Sequence, residues 1–313
     1  MESLLQELAE PFERMTRAAA SALLLESYGL TALATDRLDT ERDDSFRVET
    51  TDGTVVLKVA NPADDPAVVD LQSAAMAHAA TADPTLPLQH LLPTRDGAPS
   101  TIADGRIARV LSWLDGEPLL DRMPPTPAQL HALGAALARL GRALAGFEHP
   151  AAHRALAWDL QHTASLRQHT DDRLVLGVID DFEARIAPAL DALPHQVVHN
   201  DFHPGNLLMS GGELVGILDF GDTVYTARVC DLGVALGYLV PEEGPAWSAA
   251  ETFIAGYESE VQLLPAERDL LPGLAAARLA MRVVIPGIVR QPGTGEHYSD
   301  RNRRMLQRLI EEN

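Results

Sequence analysis

Val198-His199-Asn200-Asp201-Phe202-His203-Pro204-Gly205-Asn206, followed shortly by Leu214-Val215-Gly216-Ile217-Leu218-Asp219-Phe220-Gly221-Asp222, decides how this chain is read. An apolar strand delivers a polar loop carrying Asp201 and Asn206, and Pro204-Gly205 turns it tightly. A second strand then presents Asp219 just before a glycine. Carboxylate and amide oxygens at two strand ends are hard donors suited to Mg²⁺. Asp201 is left to orient or deprotonate a hydroxyl nucleophile. The set is the equipment of phosphoryl transfer, where catalysis is mostly positioning and charge neutralisation. His199 reads as structural, its ring tethering the loop backbone rather than moving protons. His195, His199 and His203 recur every fourth residue, and on a helix they would share a face able to hold zinc. The β-like Gln196-Val197-Val198 between them and Pro204 directly after them argue against that helix.

Lys58 is the second signal. It is the only lysine in a chain whose other long basic side chains are all arginine. A retained lysine points to a need for a compact point charge rather than a planar fork. It ends the apolar strand Val55-Val56-Leu57-Lys58-Val59, where a solvated charge is out of place. Its expected role is to hold the α- and β-phosphates of a nucleotide, with Asp70 on the following helix as the best-placed acid. No GxGxxG loop is present. The segment Glu41 to Phe46 joins the first two strands instead, and Ser45 or its neighbouring N–H groups are candidates to cover the phosphates. Backbone groups of Ser112 and Leu114, beside Trp113, are candidates to meet a purine base.

Length and charge frame these motifs. The chain has 313 residues, above the usual size of one compact domain, and 46% of them are hydrophobic. A net charge of −20 repels polyanions, so nucleic acid is not an expected partner. A small cationic or zwitterionic metabolite suits the field better. Cys230 is the single cysteine, which excludes an intramolecular disulfide. The acidic start lacks a basic n-region and the nearest apolar run, Ala18 to Leu25, is too short to span a bilayer, so no membrane association and a cytoplasmic location are expected.

Periodicity predicts a first helix within 3–28, with Leu4, Leu5 and Leu8 on its apolar face, then strands at 32–38, 45–50 and 54–59 and a helix at 66–81. Strands at 88–94, 99–103 and 106–112 follow, with turns at Asp52-Gly53, Asp96-Gly97 and Asp104-Gly105. After a hinge at 113–118, Leu130 to Phe147 form one helical face. Further helices are predicted near 172–192, 230–240, 247–262, 266–285 and 299–311, with short strands across 196–221. The fold class is α+β: a sheet-rich N-lobe over 1–112 that binds the nucleotide phosphates, and a helical C-lobe over 119–313 with the catalytic loop and acceptor site.

At these residues the chain resembles the aminoglycoside phosphotransferase/choline kinase superfamily, which has a two-lobed protein-kinase-like fold. It is most similar to the hydroxylysine kinase group. Asp43 to Val48, Val56 to Asn61, Gly216 to Asp222 with Tyr225, and Ala255 to Ser259 carry the likeness. The resemblance implies a catalytic Asp201, Mg²⁺ ligands Asn206 and Asp219, and a Lys58–Asp70 pair at the phosphates. It also implies Asp231 as the buried acid bracing the catalytic loop. A nucleoside triphosphate donor, GTP or ATP, and a small amino alcohol or hydroxy amino acid as acceptor come with it. Chains of this group also occur fused to an aminotransferase, so such a domain is a candidate neighbour. Asp70 departs from the usual glutamate by one methylene.

For the acceptor, Trp158, Asp159 and Asp222 are candidates to meet an ammonium group, and Arg282 to meet a carboxylate. An aminoglycoside acceptor, or a nucleotide-binding module without catalysis, are the competing readings.

Overall fold

The computed structural model describes residues 12–40, 43–289 and 296–312. Leu4, Leu5 and Leu8 of the predicted first helix lie outside them. The described part of that helix is α1, Arg17–Leu23, capped by the Thr16 side chain. It runs on as a π turn, Leu24–Tyr28, that Gly29 ends at φ 76°.

Five antiparallel pairings then build one sheet from β1 (Ala32–Leu38), β2 (Asp44–Thr50), β3 (Gly53–Val59), β4 (Leu91–Leu92), β5 (Thr101–Ala103) and β6 (Arg106–Ser112). The order is β1-β2-β3-β6-β4, and β5 pairs with β6. Side-chain alternation gives the sheet two faces. Phe46, Leu57, Val59 and Val110 pack with Leu24 and Tyr28 on one face. Val56 and Leu111 join a larger core on the other, with Ala75 and Met76 of α2 (Pro66–Ala82). Asp44 is buried where α1 meets the sheet, taking Met15 N–H at 2.9 Å and the guanidinium groups of Arg37 and Arg106. The predicted strand at 88–94 shrinks to Leu91–Leu92, because Pro93 has no N–H with which to extend the ladder.

The rest of the chain is mainly helical. A short sheet of β7 (Glu117–Pro118), β9 (Leu207–Ser210) and β10 (Glu213–Ile217) and a pair of β8 (His195–Val198) with β11 (Val224–Ala227) carry the polar loops. The helices are α3 (Pro127–Ala143), α4 (Arg173–Asp181), α5 (Ala187–Leu190), α6 (Val229–Gly237), α7 (Ser248–Glu258), α8 (Pro265–Val289) and α9 (Glu296–Glu312). The helix expected at 172–192 is interrupted by a π turn, Phe182–Ile186, next to Pro188, whose missing N–H leaves a carbonyl without its usual donor. The 3₁₀ segment Leu160–His169 and strand β11 were not expected. Pro265–Ile288 is long and apolar enough to cross a membrane, yet 72% of its most apolar window is buried inside the protein, as the central helix of the core.

α3 and α7 cross closely at two glycines. A Cβ on Gly134 would sit 1.9 Å from Phe253 O, and one on Gly256 would sit 2.0 Å from His131 O. Gly134→Ala and Gly256→Ala should therefore each cost about 3 kcal/mol. Gly177→Ala, in α4 with nothing near its Cβ, should be neutral or gain about 0.5 kcal/mol. Chemical denaturation of the three variants checks this, and equal stabilities would refute the close crossing.

Candidate active site

Strand β8 ends at Val198, and the chain then enters a loop with a strained start. Asn200 takes φ 63°, in the left-handed region. The carboxylate of Asp231, in the first turn of α6, holds this turn by accepting from Asn200 N–H (2.8 Å) and His199 N–H (3.4 Å). Burial pushes the Asp231 carboxyl up in pKa, against those two donors. The His199 ring is fully buried. Its Nδ1 accepts from Asp201 N–H (3.2 Å), and its Nε2 lies 3.1 Å from the carbonyl of Leu218. One neutral tautomer satisfies both contacts, with the proton on Nε2. The ring thus links the loop bearing Asp201 to the strand end bearing Asp219. The four-residue histidine spacing is not helical here: His195 lies in β8 and its Nδ1 meets Leu193 O.

Asp201 is held on both oxygens. Arg278 Nη2 donates to Oδ1 (3.1 Å) and Asn206 Nδ2 donates to Oδ2 (2.8 Å), with His203 Nε2 3.4 Å from Oδ2. Burial would raise the Asp201 carboxyl, but His203 and Arg278 overcome it and hold the acid far below the usual carboxylate range. Asn206 spends Nδ2 twice, on Asp201 Oδ2 and Asp201 O, so its Oδ1 takes no partner among the described residues. Asp219 adopts φ 62° and its Oδ1 accepts from Gly221 N–H (3.0 Å). Lys58 Nζ lies 3.8 Å from Asp219 Oδ1 and 3.8 Å from Asp43 Oδ2. The Lys58 ammonium depresses Asp219 against the effect of burial, whereas burial raises Asp43. An open amide oxygen on Asn206 beside the ionised Asp219 carboxylate fits a hard divalent cation such as Mg²⁺.

Three expected contacts are corrected. Asp70 does not pair with Lys58: its side chain is 70% exposed and bonds His149 at 3.1 Å. The cause is rotation about α2, whose inner face presents Val69, Ser73 and Met76 to the sheet side. Asp159 is 2% exposed, and it caps the Leu160–His169 segment and takes the Thr226 hydroxyl, which leaves it no acceptor-facing role. Ser112 cannot offer its N–H to a base, because it donates to His90 O, while its carbonyl accepts from Gln89. Leu114 makes none of the hydrogen bonds found among the described residues. Ser45 lies beside Lys58 in the ladder, with its hydroxyl buried and unpartnered.

Of the residues expected to meet the acceptor, Trp158 is half-buried and lies under the Arg278 guanidinium at 4.7 Å. Arg282 lies over Tyr238 at 3.9 Å and donates to Gly237 O and the Tyr298 hydroxyl. His203 stacks on Tyr238, with ring centroids 4.7 Å apart. Asp222 is half-buried and is raised to about 7 by burial and by the charge of Asp201, against Arg278 and Arg154. Arg278, Tyr238 and His203 were missed from the sequence. Arg278 had a signal: with Arg282 it stands one turn apart in an otherwise apolar stretch of helix.

A carboxylate fixed between an amide and a guanidinium, next to a lysine and a second aspartate at separate strand ends, is an arrangement suited to phosphotransfer. The comparisons agree. Residues 37–271 match the APH model, "Phosphotransferase enzyme family", and the chain belongs to that family. It is a small-molecule kinase that acts on a hydroxyl. It is 28% identical over 311 residues to a hydroxylysine kinase of Danio rerio, covering 90% of this chain and 87% of that one. With a homoserine kinase of Caulobacter sp. (strain K31) it shares 33% identity over 245 residues, covering 74% and 73%. The solved structure of amicoumacin kinase hAmiN in complex with AMP-PNP, Ca²⁺ and Ami superposes with a TM-score of 0.73 at 16% identity, over 96% of this chain and 95% of that one. The fold is therefore protein-kinase-like, as expected.

Replacing Arg278 by Met should free Asp201 Oδ1 to rotate and lower kcat by roughly 10²-fold. It should also move the acidic limb of the kcat/KM profile to higher pH, since a cation that depresses the acid is gone. Arg278→Lys should restore part of both, and an unshifted limb in the Met variant would show that Arg278 does not govern Asp201.

Proposed function

We propose that the chain is a Mg²⁺-dependent kinase that moves the γ-phosphoryl group of ATP or GTP to the hydroxyl of a small hydroxy amino acid of the hydroxylysine or homoserine type. The observation that carries this is Asp201, fixed by Arg278 and Asn206 in a loop tied through His199 to Asp219, which itself lies beside Lys58. In this reading residues 1–112 hold the donor phosphates, 113–118 form the hinge with Leu114 facing the base, and 119–313 receive the acceptor.

Asp201 orients the acceptor hydroxyl toward the γ-phosphorus. As the oxygen–phosphorus bond forms, the bond from the γ-phosphorus to the β-bridging oxygen breaks, and the nucleoside diphosphate leaves with that electron pair. Asp201 is a weak base, so it takes the proton late, once bond formation has made the hydroxyl acidic. Lys58 offsets charge on the phosphates. Mg²⁺, held by Asn206 and Asp219, would neutralise the developing phosphate charge.

The acceptor end supports a zwitterion. Asp222 offers a carboxylate to an ammonium group, while Arg282 and Arg278 place positive charge around Tyr238 for a carboxylate. A polycationic aminoglycoside gains nothing from those cations. A module without catalysis has no use for an Asp201 fixed on both oxygens.

A panel of hydroxylysine, homoserine, choline and kanamycin, run with ATP and with GTP and read as nucleotide consumption, tests the reading. Turnover confined to the hydroxy amino acids supports it, and turnover of kanamycin alone overturns it. Asp201→Asn should lose about 10³-fold in kcat while nucleotide affinity stays. Because Asp222 titrates near 7, only its ionised form attracts the acceptor ammonium. Hydroxylysine affinity should then rise about tenfold between about pH 6 and pH 8, with proton release on binding at the lower pH. Calorimetry in buffers of different ionisation heat measures both effects, and Asp222→Asn should abolish them.

A further inference from the structure

A row of three side chains crosses the sheet beside the site. Ser45 of β2 is the register partner of Lys58 in β3, and Lys58 is in turn the partner of Arg109 in β6. Directly opposed residues share a face, so all three lie on the side of the sheet that carries Val56 and α2. Arg109 is 5% exposed. Its guanidinium donates to Val69 O (3.1 Å), Ser73 Oγ (3.0 Å) and Gln72 Oε1 (2.8 Å), all on α2 and all neutral. Among the described residues no carboxylate lies within ion-pair distance of it. Burial works against its charge, and Asp43, Asp219 and Asp64 support it from farther away. Ser45, 2% exposed, has a hydroxyl without a partner on the other flank of Lys58.

A buried cation with neutral partners keeps its field, whereas one paired to a carboxylate does not. Among the described residues Lys58 makes no bond to α2, Asp70 being turned away to His149. The link from sheet to helix is therefore made one strand over. We infer that Arg109 is a positioning residue for the donor: it fastens α2 to the sheet through neutral acceptors and keeps its charge, without an ion-pair partner among the described residues, beside Lys58 for the nucleotide phosphates. The inference rests on the reading of Lys58 as the phosphate-binding lysine. Its ligand class is a polyphosphate, and Ser45 supplies a hydroxyl donor on the opposite flank of the same row.

The test uses the full chain and three variants, Arg109→Gln, Arg109→Lys and Lys58→Ala. Gln keeps amide donors near Val69 O and Ser73 Oγ but removes the charge. For Arg109→Gln the expected result is a KM for the triphosphate raised about tenfold, with kcat within about twofold and competitive inhibition by the bare nucleoside unchanged. Arg109→Lys should stay within about threefold of the parent. Triphosphate and nucleoside affinity falling together in Arg109→Gln, with a lower melting temperature, would reduce Arg109 to a strut and overturn the inference. An unchanged triphosphate KM in that variant would overturn it too. Lys58→Ala separates the two failures. If it weakens triphosphate binding while Arg109→Gln does not, only the role of Arg109 falls. If it leaves triphosphate binding intact, the assignment of Lys58 falls first.

Discussion

The His199 imidazole, sealed from solvent between Phe202 and Phe220, fixes the spacing on which the site depends. It accepts from the backbone of Asp201 on one side and meets the carbonyl of Leu218, one residue before Asp219, on the other. A neutral ring does this without placing another charge beside three aspartates. Backbone strain is concentrated at the same place, because Asn200 and Asp219 both adopt left-handed conformations at a cost of roughly 1 kcal/mol each. Asp231 offsets the first by capping two amides, and the Lys58 ammonium together with Gly221 N–H offsets the second. The loops are thus held by buried polar contacts rather than by apolar packing alone.

Charge in this protein is organised against its net sign. A chain with 45 acidic side chains places Asp43, Asp201, Asp219 and Asp222 near one another, where burial and mutual repulsion raise Asp43 and Asp222 while nearby donors and cations depress Asp201 and Asp219. The depressed ones each have a named cation: Lys58 for Asp219, and Arg278 for Asp201. The raised one on the acceptor side, Asp222, has its cations farther off. Environments that push neighbouring carboxylates apart in this way suit them to different tasks.

Much of this was legible in the sequence, and the limits have physical causes. Strands β1, β2, β3 and β6 follow from alternation and from Asp-Gly turns, and α3 follows from its leucine spacing, because local signals suffice there. The Asp201, Asn206 and Asp219 set is readable because it is compact in sequence. Pairings across the fold were not. Asp70 lies on the right helix but on its outer face, and a helix without strong amphipathic contrast does not announce its rotation. Asp159 looked like a polar residue beside a tryptophan, yet the unforeseen 3₁₀ segment made it a buried cap. Arg278 contacts Asp201 across 77 positions of sequence, and Arg109 reaches α2 across 36 to 40. No short-range pattern encodes such distances.

The division of labour between lysine and arginine closes the argument. Where the fold needs a cation that satisfies several acceptors at once, it buries an arginine: Arg109 among Val69, Gln72 and Ser73, Arg278 among Asp201, Trp158 and Tyr238. A planar fork keeps its geometry when such contacts are made, so those positions stay rigid. Lys58 is treated differently. Its two carboxylate neighbours sit at 3.8 Å, beyond hydrogen-bonding distance, so its donors are not committed to either. A charge held loosely between two acids can pass to a better anion at little cost: in the proposed function, incoming phosphates would replace weak contacts rather than break strong ones. An arginine there would bind Asp43 or Asp219 bidentately and resist that exchange. On the proposed reading of Lys58, the single lysine of the chain stands where the bound anion must change.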